Sequence, residues 1–234
     1  MDDAASILSS IKRYQALRLH EDVDFASCVL ALQQWRLEAM LTALGPECEG
    51  GPKGDLLEFY LSEVLLGVHL HELNKKTNIV KVIEKLFTGT DMLTVGLEFN
   101  ALTFEISEKL VEQLYGVAEH GEIDVKLYVE ACRRAAVLDD MEYQLALFEK
   151  FSVYLDEAIR DPIVNTGLKV SKIPARMLGF KRLHKLLSHG FKLAKKAGDP
   201  RLVLESAITL ERQAIANIRR GANVIYSPVE TGSN

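Results

Sequence analysis

Apolar residues recur at helical spacing along nearly the whole chain, and no segment shows the sustained two-residue alternation of a half-buried strand. The most regular pattern spans residues 138–160 and ends before Asp161-Pro162, where proline disfavours a helical preceding residue. Asp124 and the pair Asp199-Pro200 have the residue types that start helices. The pattern therefore predicts an all-α fold, a single compact domain of about eight to ten helices with a bundle-like core.

Glycine, proline and polar residues divide this helical pattern. We expect one helical domain over residues 1–221, a flexible loop inside it at 44–54 in "GPECEGGPKGD", and a polar tail at 222–234. A helix at about 55–75, capped by Asp55, is apolar around much of its circumference, as is the 138–160 helix. Helices of this kind are buried on several sides, so we expect these two to be central and the first helix and the tail to be peripheral.

Glu63 interrupts the apolar run "EFYLSEVLLG", residues 58–67. It is either a carboxylate at the helix rim, beside Ser62, or a buried carboxylate that binds a metal or transfers a proton. Di-iron bundles use Glu-x-x-His pairs, and the sequence contains none. Glu63 and His69 are therefore only weak metal candidates, and no cofactor is predicted.

Composition is that of an ordinary globular protein: 234 residues, 48% hydrophobic and 26% charged, with a net charge of −5. That charge argues against nucleic-acid binding by the chain as a whole. No apolar run approaches the ~18 residues of a membrane span. The start, "MDDAASILSS", is acidic where a secretory signal is basic, so the expected location is the cytoplasm.

Recognisable catalytic motifs are absent from the sequence. It has no G-x-S-x-G, P-loop or H-E-x-x-H, and its three cysteines, Cys28, Cys48 and Cys132, form no C-x-x-C pair. Cys48 lies in the predicted loop and is expected to be the exposed, reactive thiol. These observations favour a protein that is not an enzyme.

Positive charge is concentrated in residues 169–201, which hold ten basic residues against one acidic residue, Asp199. A helix from about 180 would carry much of this charge, and the predicted anion- or partner-binding residues are Lys181, Arg182, Lys185, Lys192, Lys195 and Lys196. The candidate partners are an acidic protein, a phosphorylated ligand or an anionic membrane surface. Nucleic acid is the least favoured, because no recognition helix or row of stacking aromatics accompanies the lysines. Alternatively, the segment docks on the acidic remainder of its own chain.

One interhelical ion pair is also suggested by the sequence. Arg176, beside "IPA", and Glu211, in the last helix, are the candidate partners. Two separate solvated charges are the other interpretation.

The stretch "EFYLSEVLLG" contains an aromatic pair, a leucine and an acidic residue: Phe59, Tyr60, Leu61 and Glu63. This arrangement resembles the signature of the bacterial "FFLEELY motif" proteins. Similar stretches include "QQWRLEAML", "YVEACRRAA" and "KIPARMLGFKRLHKLLSHGFKLAKKAGDP", so the resemblance covers most of residues 33–218. The chain departs after Gly67, where the family would have a Tyr-Gly-Pro turn. The resemblance implies a helical, cytoplasmic protein of Gram-negative type and no particular activity.

Two functions follow as hypotheses. The first is a non-enzymatic helical binding or adaptor protein whose basic face takes an anionic partner or ligand. The alternative is a bundle that encloses a metal, haem or apolar ligand, as an oxidoreductase would. The sequence leaves a homodimer open.

Overall fold

The computed structural model describes residues 3–48, 50–68, 90–115, 123–177 and 180–226, and these are almost entirely helical. They form a single all-α domain with ten α-helices, as the sequence predicts. In chain order the helices are α1 (Asp3–Gln15), α2 (Val23–Cys48), α3 (Gly51–Tyr60), α4 (Thr90–Leu114), α5 (Val125–Arg134), α6 (Leu138–Arg160), α7 (Pro162–Val170), α8 (Lys172–Met177), α9 (Lys181–Ala197) and α10 (Pro200–Arg220). A 3₁₀ turn, Arg18–His20, lies between α1 and α2, and a π-helical turn, Leu61–Leu65, continues α3.

The core is organised around α4 and α6. α4 packs against α1 on one side and α6 on another, and α6 in turn packs against α10. α3 contacts α2, α9 and α10. The central position expected for the 138–160 helix is thus confirmed in α6, and α4 shares that position although the sequence pattern did not single it out.

The first helix is peripheral, as expected, and buries one face, whereas the start of the tail is buried, contrary to the expectation. Ile7, Ile11 and Tyr14 of α1 are at most 1% exposed, because their spacing of four and three residues places them on one face against α4. Ile225 is 1% exposed, and Tyr226 is partly buried beside it. The core therefore extends into the segment predicted as a polar tail.

Side-chain caps fix several helix starts where the sequence predicted them. The Asp124 carboxylate accepts a hydrogen bond from Leu127 N at 2.8 Å, and the Asp199 carboxylate accepts one from Leu202 N at 3.0 Å. Each bond satisfies an amide that the first helical turn leaves without a partner. These local signals decide the starts of α5 and α10.

The break between α2 and α3 is shorter than the predicted loop at 44–54. α2 continues through Gly45 and Pro46 to Cys48, and α3 begins at Gly51, four residues before the predicted cap Asp55. Leu44 is 1% exposed and Cys48 is half-buried. Packing at the end of α2 thus outweighs the low helix propensity of glycine and proline.

The helix predicted at 55–75 leaves helical geometry after Leu65, and Leu66–Val68 form a turn with Gly67 at φ +89°. Gln33 Nε2 donates to the Leu66 carbonyl, and Val68 N donates to Asn100 Oδ1 at 2.6 Å. Gln33 and Asn100 are buried, so this chain turn is tied to α2 and α4 in the interior. The rest of the predicted helix, with His69, lies outside the described residues.

None of the described helices combines the length and apolar character needed to cross a membrane.

Candidate functional site

α9 carries most of the predicted basic residues on its outer surface. Leu183, Phe191 and Leu193 are buried on its inner side, which anchors the helix against α3, α6 and α8. Lys181, Arg182, Lys185, Lys192, Lys195 and Lys196 are all exposed. The helix therefore presents its cations to solvent, and two open grooves run along its flanks.

The first groove, which we call the basic groove, lies between α9 and the α7–α8 segment. Five lysines from both sides line it, together with three polar side chains: Lys169, Lys172, Lys192, Lys195, Lys196, Asn165, His184 and Ser188. No acidic side chain is among the described residues that line it. Lysines from separate elements therefore converge without an internal counterion in the lining.

His184 fixes the two walls of the basic groove relative to each other. Its Nε2 lies 2.8 Å from the Leu168 carbonyl, and its Nδ1 lies 3.3 Å from Ser188 Oγ. Because a carbonyl can only accept, Nε2 donates to it, and in the neutral imidazole Nδ1 accepts from the serine hydroxyl. The imidazole thus joins α9 to α7 and is not free to serve as a metal ligand.

The second groove, the mixed-charge groove, lies between α9 and α3. Arg182, Lys185 and Lys196 line it opposite three carboxylates, Asp55, Glu58 and Glu63. On this side of α9 the cations face acidic residues of their own chain, in agreement with the alternative that the basic segment docks on the acidic remainder of the chain. Lys181 is exposed and lines neither groove.

Helix electrostatics account for part of the lysine distribution. Lys169 lies in the last turn of α7, and Lys195 and Lys196 lie in the last turn of α9, where the carbonyl ends favour a positive charge. Lys172 is the first residue of α8, where the same effect disfavours a cation. Local helix stability therefore does not explain its place in the groove.

Glu211 forms a buried ion pair, but with a different arginine from the one predicted. Arg36 Nη2 of α2 lies 3.1 Å from Glu211 Oε1 and 3.3 Å from Oε2, and both residues are at most 4% exposed. The Tyr226 hydroxyl donates to Oε1 at 2.9 Å. Arg176 is instead exposed on α8, so it cannot supply the buried charge that Glu211 needs.

Only one of the two predicted metal candidates, Glu63, lies in the described part of the chain. Glu63 is exposed on the π-helical turn, which confirms the interpretation as a rim carboxylate, and His69 lies outside the described residues. No group of three or more histidine, cysteine or acidic side chains suited to a metal is found among the described residues.

Burial limits the reactivity of the cysteine thiols. Cys28 and Cys132 are buried, and burial raises the pKa of Cys132 to about 12. Cys48 is half-buried, and its pKa is raised by burial and by the nearby Glu58 and Glu47. Since the thiolate is the reactive form, Cys48 is the most accessible of the three but is less reactive than the sequence suggested.

An apolar cavity of about 70 Å³ lies in the core between α3, α4, α6 and α9. Aromatic and aliphatic side chains line it, including Phe59, Phe151, Leu155 and Phe191, and Asn100 contributes an amide. Its lining contains no histidine, cysteine or carboxylate among the described residues. Ligand pockets for drug-sized molecules are roughly 300–1,000 Å³, so only a small apolar molecule fits this volume.

Gly96→Ala is expected to stabilise the fold by about 1 kcal/mol, because alanine is the better helix former and its methyl group would fill cavity space. Gly96 lies within α4 and lines the cavity, and an added Cβ would be 3.5 Å from Phe151, an ordinary contact. Urea unfolding measures the effect. The comparison variant is Gly190→Ala on α9, which also lines the cavity but whose Cβ would lie 2.9 Å from Phe59 Cε1, so it should give no comparable gain. Equal stabilisation by both would show that the space around each added methyl group does not decide the effect.

Comparison with known proteins identifies the family. No curated protein and no solved structure matches the chain. A family model described as "Domain of unknown function (DUF8198)" matches residues 15–224, a span from the end of α1 to beyond α10 that includes both grooves, the cavity and the buried ion pair. The chain therefore belongs to the DUF8198 family.

Proposed function

We propose that this protein is a non-enzymatic helical binding or adaptor protein of the cytoplasm, and that the basic groove takes an anionic partner or ligand. The observation that carries this proposal is the convergence of five lysines from α7, α8 and α9 on a groove whose described lining has no carboxylate. An acidic protein segment or a phosphorylated ligand has the complementary charge. The ordered motifs that resemble the FFLEELY-motif proteins support placement in that bacterial group as well.

Like charges in one groove carry an electrostatic cost that an anion would relieve. The whole chain is acidic, with a net charge of −5, so this convergence is not a consequence of a generally basic composition. A cleft with one sign of charge concentrates counterions and speeds their association. Because the lysines are exposed, salt screens this attraction beyond ~10 Å at 0.1 M.

The geometry separates most of the predicted binding residues. Lys192 and Lys195 line only the basic groove, Lys196 lines both grooves, and Lys181 lines neither. The other cations of the basic groove, Lys169 and Lys172, come from outside α9. Arg182 and Lys185 face carboxylates in the mixed-charge groove, and they are therefore the weaker candidates for an external anion.

Binding of a labelled peptide tests the proposal. The probe is a fluorescent peptide with two phosphoserines and several glutamates, and fluorescence polarisation measures its dissociation constant at low and high salt. The variant Lys169→Gln, Lys172→Gln, Lys192→Gln, Lys195→Gln should bind about tenfold or more weakly, since exposed charge pairs each contribute a modest amount and four are removed.

The control is the triple variant Lys181→Gln, Arg182→Gln, Lys185→Gln, which removes three cations outside the basic groove, against four inside it, and should bind the peptide like the wild type. Equal losses in both variants would mean that the peptide senses overall charge and not this groove. Absence of binding by the wild type at low salt would refute the proposed anion site.

The apolar cavity favours one form of the alternative function, binding of a small apolar molecule. Its volume of about 70 Å³ and its lining suit neither haem nor a metal ion. Benzene is a direct probe, since dry apolar cavities bind it. Benzene should raise the midpoint of urea unfolding of the wild type more than that of Gly96→Ala, and an equal effect on both would argue against binding in the cavity.

A further inference from the structure

The α7–α8 segment presents several of its large apolar residues to solvent. Its two helices meet at Ser171, whose N donates to the Gly167 carbonyl at 2.9 Å and whose carbonyl accepts from Ala175 N at 2.8 Å. The buried residues of the two helices keep one helical phase across this junction. The inner side, which faces the protein, carries partly or fully buried residues: Val164, Leu168, Ser171 and Ala175.

Four large apolar side chains form a stripe on the opposite side, which we call the outer stripe. Its members are Ile163, Val170, Ile173 and Met177, which are 69%, 68%, 71% and 82% exposed. Their spacing of seven, three and four residues keeps them on one face of a helix. These are four of the eleven exposed large apolar side chains among the described residues, gathered within fifteen positions. Scattered exposed apolar residues are normal, but a contiguous row marks a contact surface.

Cations flank the outer stripe on one side. Lys169, Lys172 and Arg176 are exposed and follow one another at spacings of three and four residues, so they form a parallel row. Lys169 and Lys172 also line the basic groove, which joins this row to the lysines of α9. Residues 162–177 contain no acidic residue. The exposed surface of α7–α8 is thus apolar along the outer stripe and basic along the row beside it.

We propose that the outer stripe and its flanking cations dock the protein on an anionic lipid bilayer. Interfacial helices insert their apolar side chains at the boundary between headgroups and acyl chains, while lysines and arginines bind anionic headgroups. The stripe runs for roughly 20 Å at 1.5 Å per residue, so it lies along the surface and does not cross the membrane. This inference rests on the proposed function, because it takes the lipid headgroup as the anion that the basic groove attracts.

The residue types favour a bilayer over a partner protein. Protein interfaces are enriched in aromatic residues, methionine and arginine and depleted in lysine. Here three of the four exposed apolar side chains are aliphatic, none is aromatic, and two of the three flanking cations are lysine. A partner protein would also offer a groove for a projecting stripe, whereas a bilayer accepts any convex apolar edge.

Sedimentation with vesicles tests this inference on the full chain. Vesicles of phosphatidylcholine alone are compared with vesicles of phosphatidylcholine mixed with phosphatidylglycerol, at low and high salt. The wild type should sediment with the anionic vesicles only, and less at high salt. Ile173→Ser with Met177→Ser should bind the anionic vesicles at least about tenfold more weakly, because two exposed apolar side chains no longer enter the lipid.

Two further variants separate the contributions. Leu202→Ser removes an apolar side chain that is 62% exposed on α10, away from the stripe, and should bind vesicles like the wild type. Lys169→Gln with Lys172→Gln should weaken binding both to anionic vesicles and to the phosphorylated peptide. Ile173→Ser with Met177→Ser should weaken vesicle binding alone. Circular dichroism and urea unfolding confirm that each variant is folded.

The outcomes distinguish the two proposals. If the wild type binds the peptide but not the anionic vesicles, the anion site stands and the membrane inference is wrong. If it binds neither, both are wrong. Vesicle binding that is unchanged in Ile173→Ser with Met177→Ser would overturn the role of the stripe. A different result would also overturn it: the wild type is a dimer, this variant is a monomer, and neither binds vesicles. The stripe would then be a self-association surface.

Discussion

Replacing Glu211 by alanine is expected to destabilise the protein by about 3–5 kcal/mol, the usual cost of breaking a buried ion pair by removing one partner. The guanidinium of Arg36 is 3% exposed and would be left in the core without a carboxylate. Its Nε already has no hydrogen-bond partner among the described residues. Urea unfolding followed by circular dichroism measures the loss.

The same substitution should loosen the segment after α10. The Tyr226 hydroxyl donates to Glu211 Oε1, Asn217 Nδ2 donates to the Ile225 carbonyl at 2.9 Å, and Ile225 is buried. Burial, together with the charge of Glu211, raises the pKa of Tyr226, so its hydroxyl stays protonated and keeps its role as donor. Tyr226→Phe removes one hydrogen bond to a charged group and should cost about 1.5–3 kcal/mol.

A double-mutant cycle is the control for Glu211. Arg36→Met combined with Glu211→Leu replaces both charges by apolar side chains of similar size, and it should be far less destabilising than Glu211→Ala alone. Strict additivity of the single substitutions would show that the two side chains contribute independently. A loss below about 1 kcal/mol for Glu211→Ala would mean that solvent reaches Arg36 in solution.

The helical structure and several helix starts are predictable from the sequence, because they depend on residues that are close together in the chain. Asp124 and Asp199 cap the helices that begin beside them, and the apolar periodicity of α6 is visible without tertiary information. The continuation of α2 to Cys48 is different, since it depends on packing around Leu44 that no local signal reports. The burial of Ile225 likewise depends on an element that folds back on α10.

In the candidate site, too, local features are predictable from the sequence and contacts between distant residues are not. The sequence locates the positive charge in residues 169–201, but it does not show that α9 has two different neighbours. Contact with α3 gives Arg182 and Lys185 acidic surroundings, whereas contact with α7 and α8 brings Lys169 and Lys172 to the other flank. The partner of Glu211 could not be chosen either, because Arg36 is 175 residues away in sequence and arginine is common in the chain. The only signal in the sequence was the position of Arg36 among the apolar residues of "QQWRLEAML".

Gly67→Ala should destabilise the protein by about 2–4 kcal/mol, through backbone strain of about 1 kcal/mol and overpacking of about 1–3 kcal/mol. Gly67 has φ +89°, a conformation that alanine adopts at a cost. A Cβ there would lie 2.7 Å from Phe104 Cε2, and this ring is fully buried in α4. The backbone at Gly67 cannot easily shift away from the ring, because Gln33 and Asn100 hold it on both sides of Gly67.

Gly198→Ala separates the two contributions to this loss. Gly198 ends α9 with φ +83°, close to the value at Gly67, but an added Cβ would meet nothing within 4 Å. Its substitution should therefore cost only the backbone strain, about 1 kcal/mol. The difference between the two variants in urea unfolding measures the contact with Phe104, and Phe104→Leu in the Gly67→Ala background should recover part of it by making room. Equal losses at both glycines would show that the Leu66–Val68 turn does not pack against Phe104 of α4, and its buried position would then be wrong.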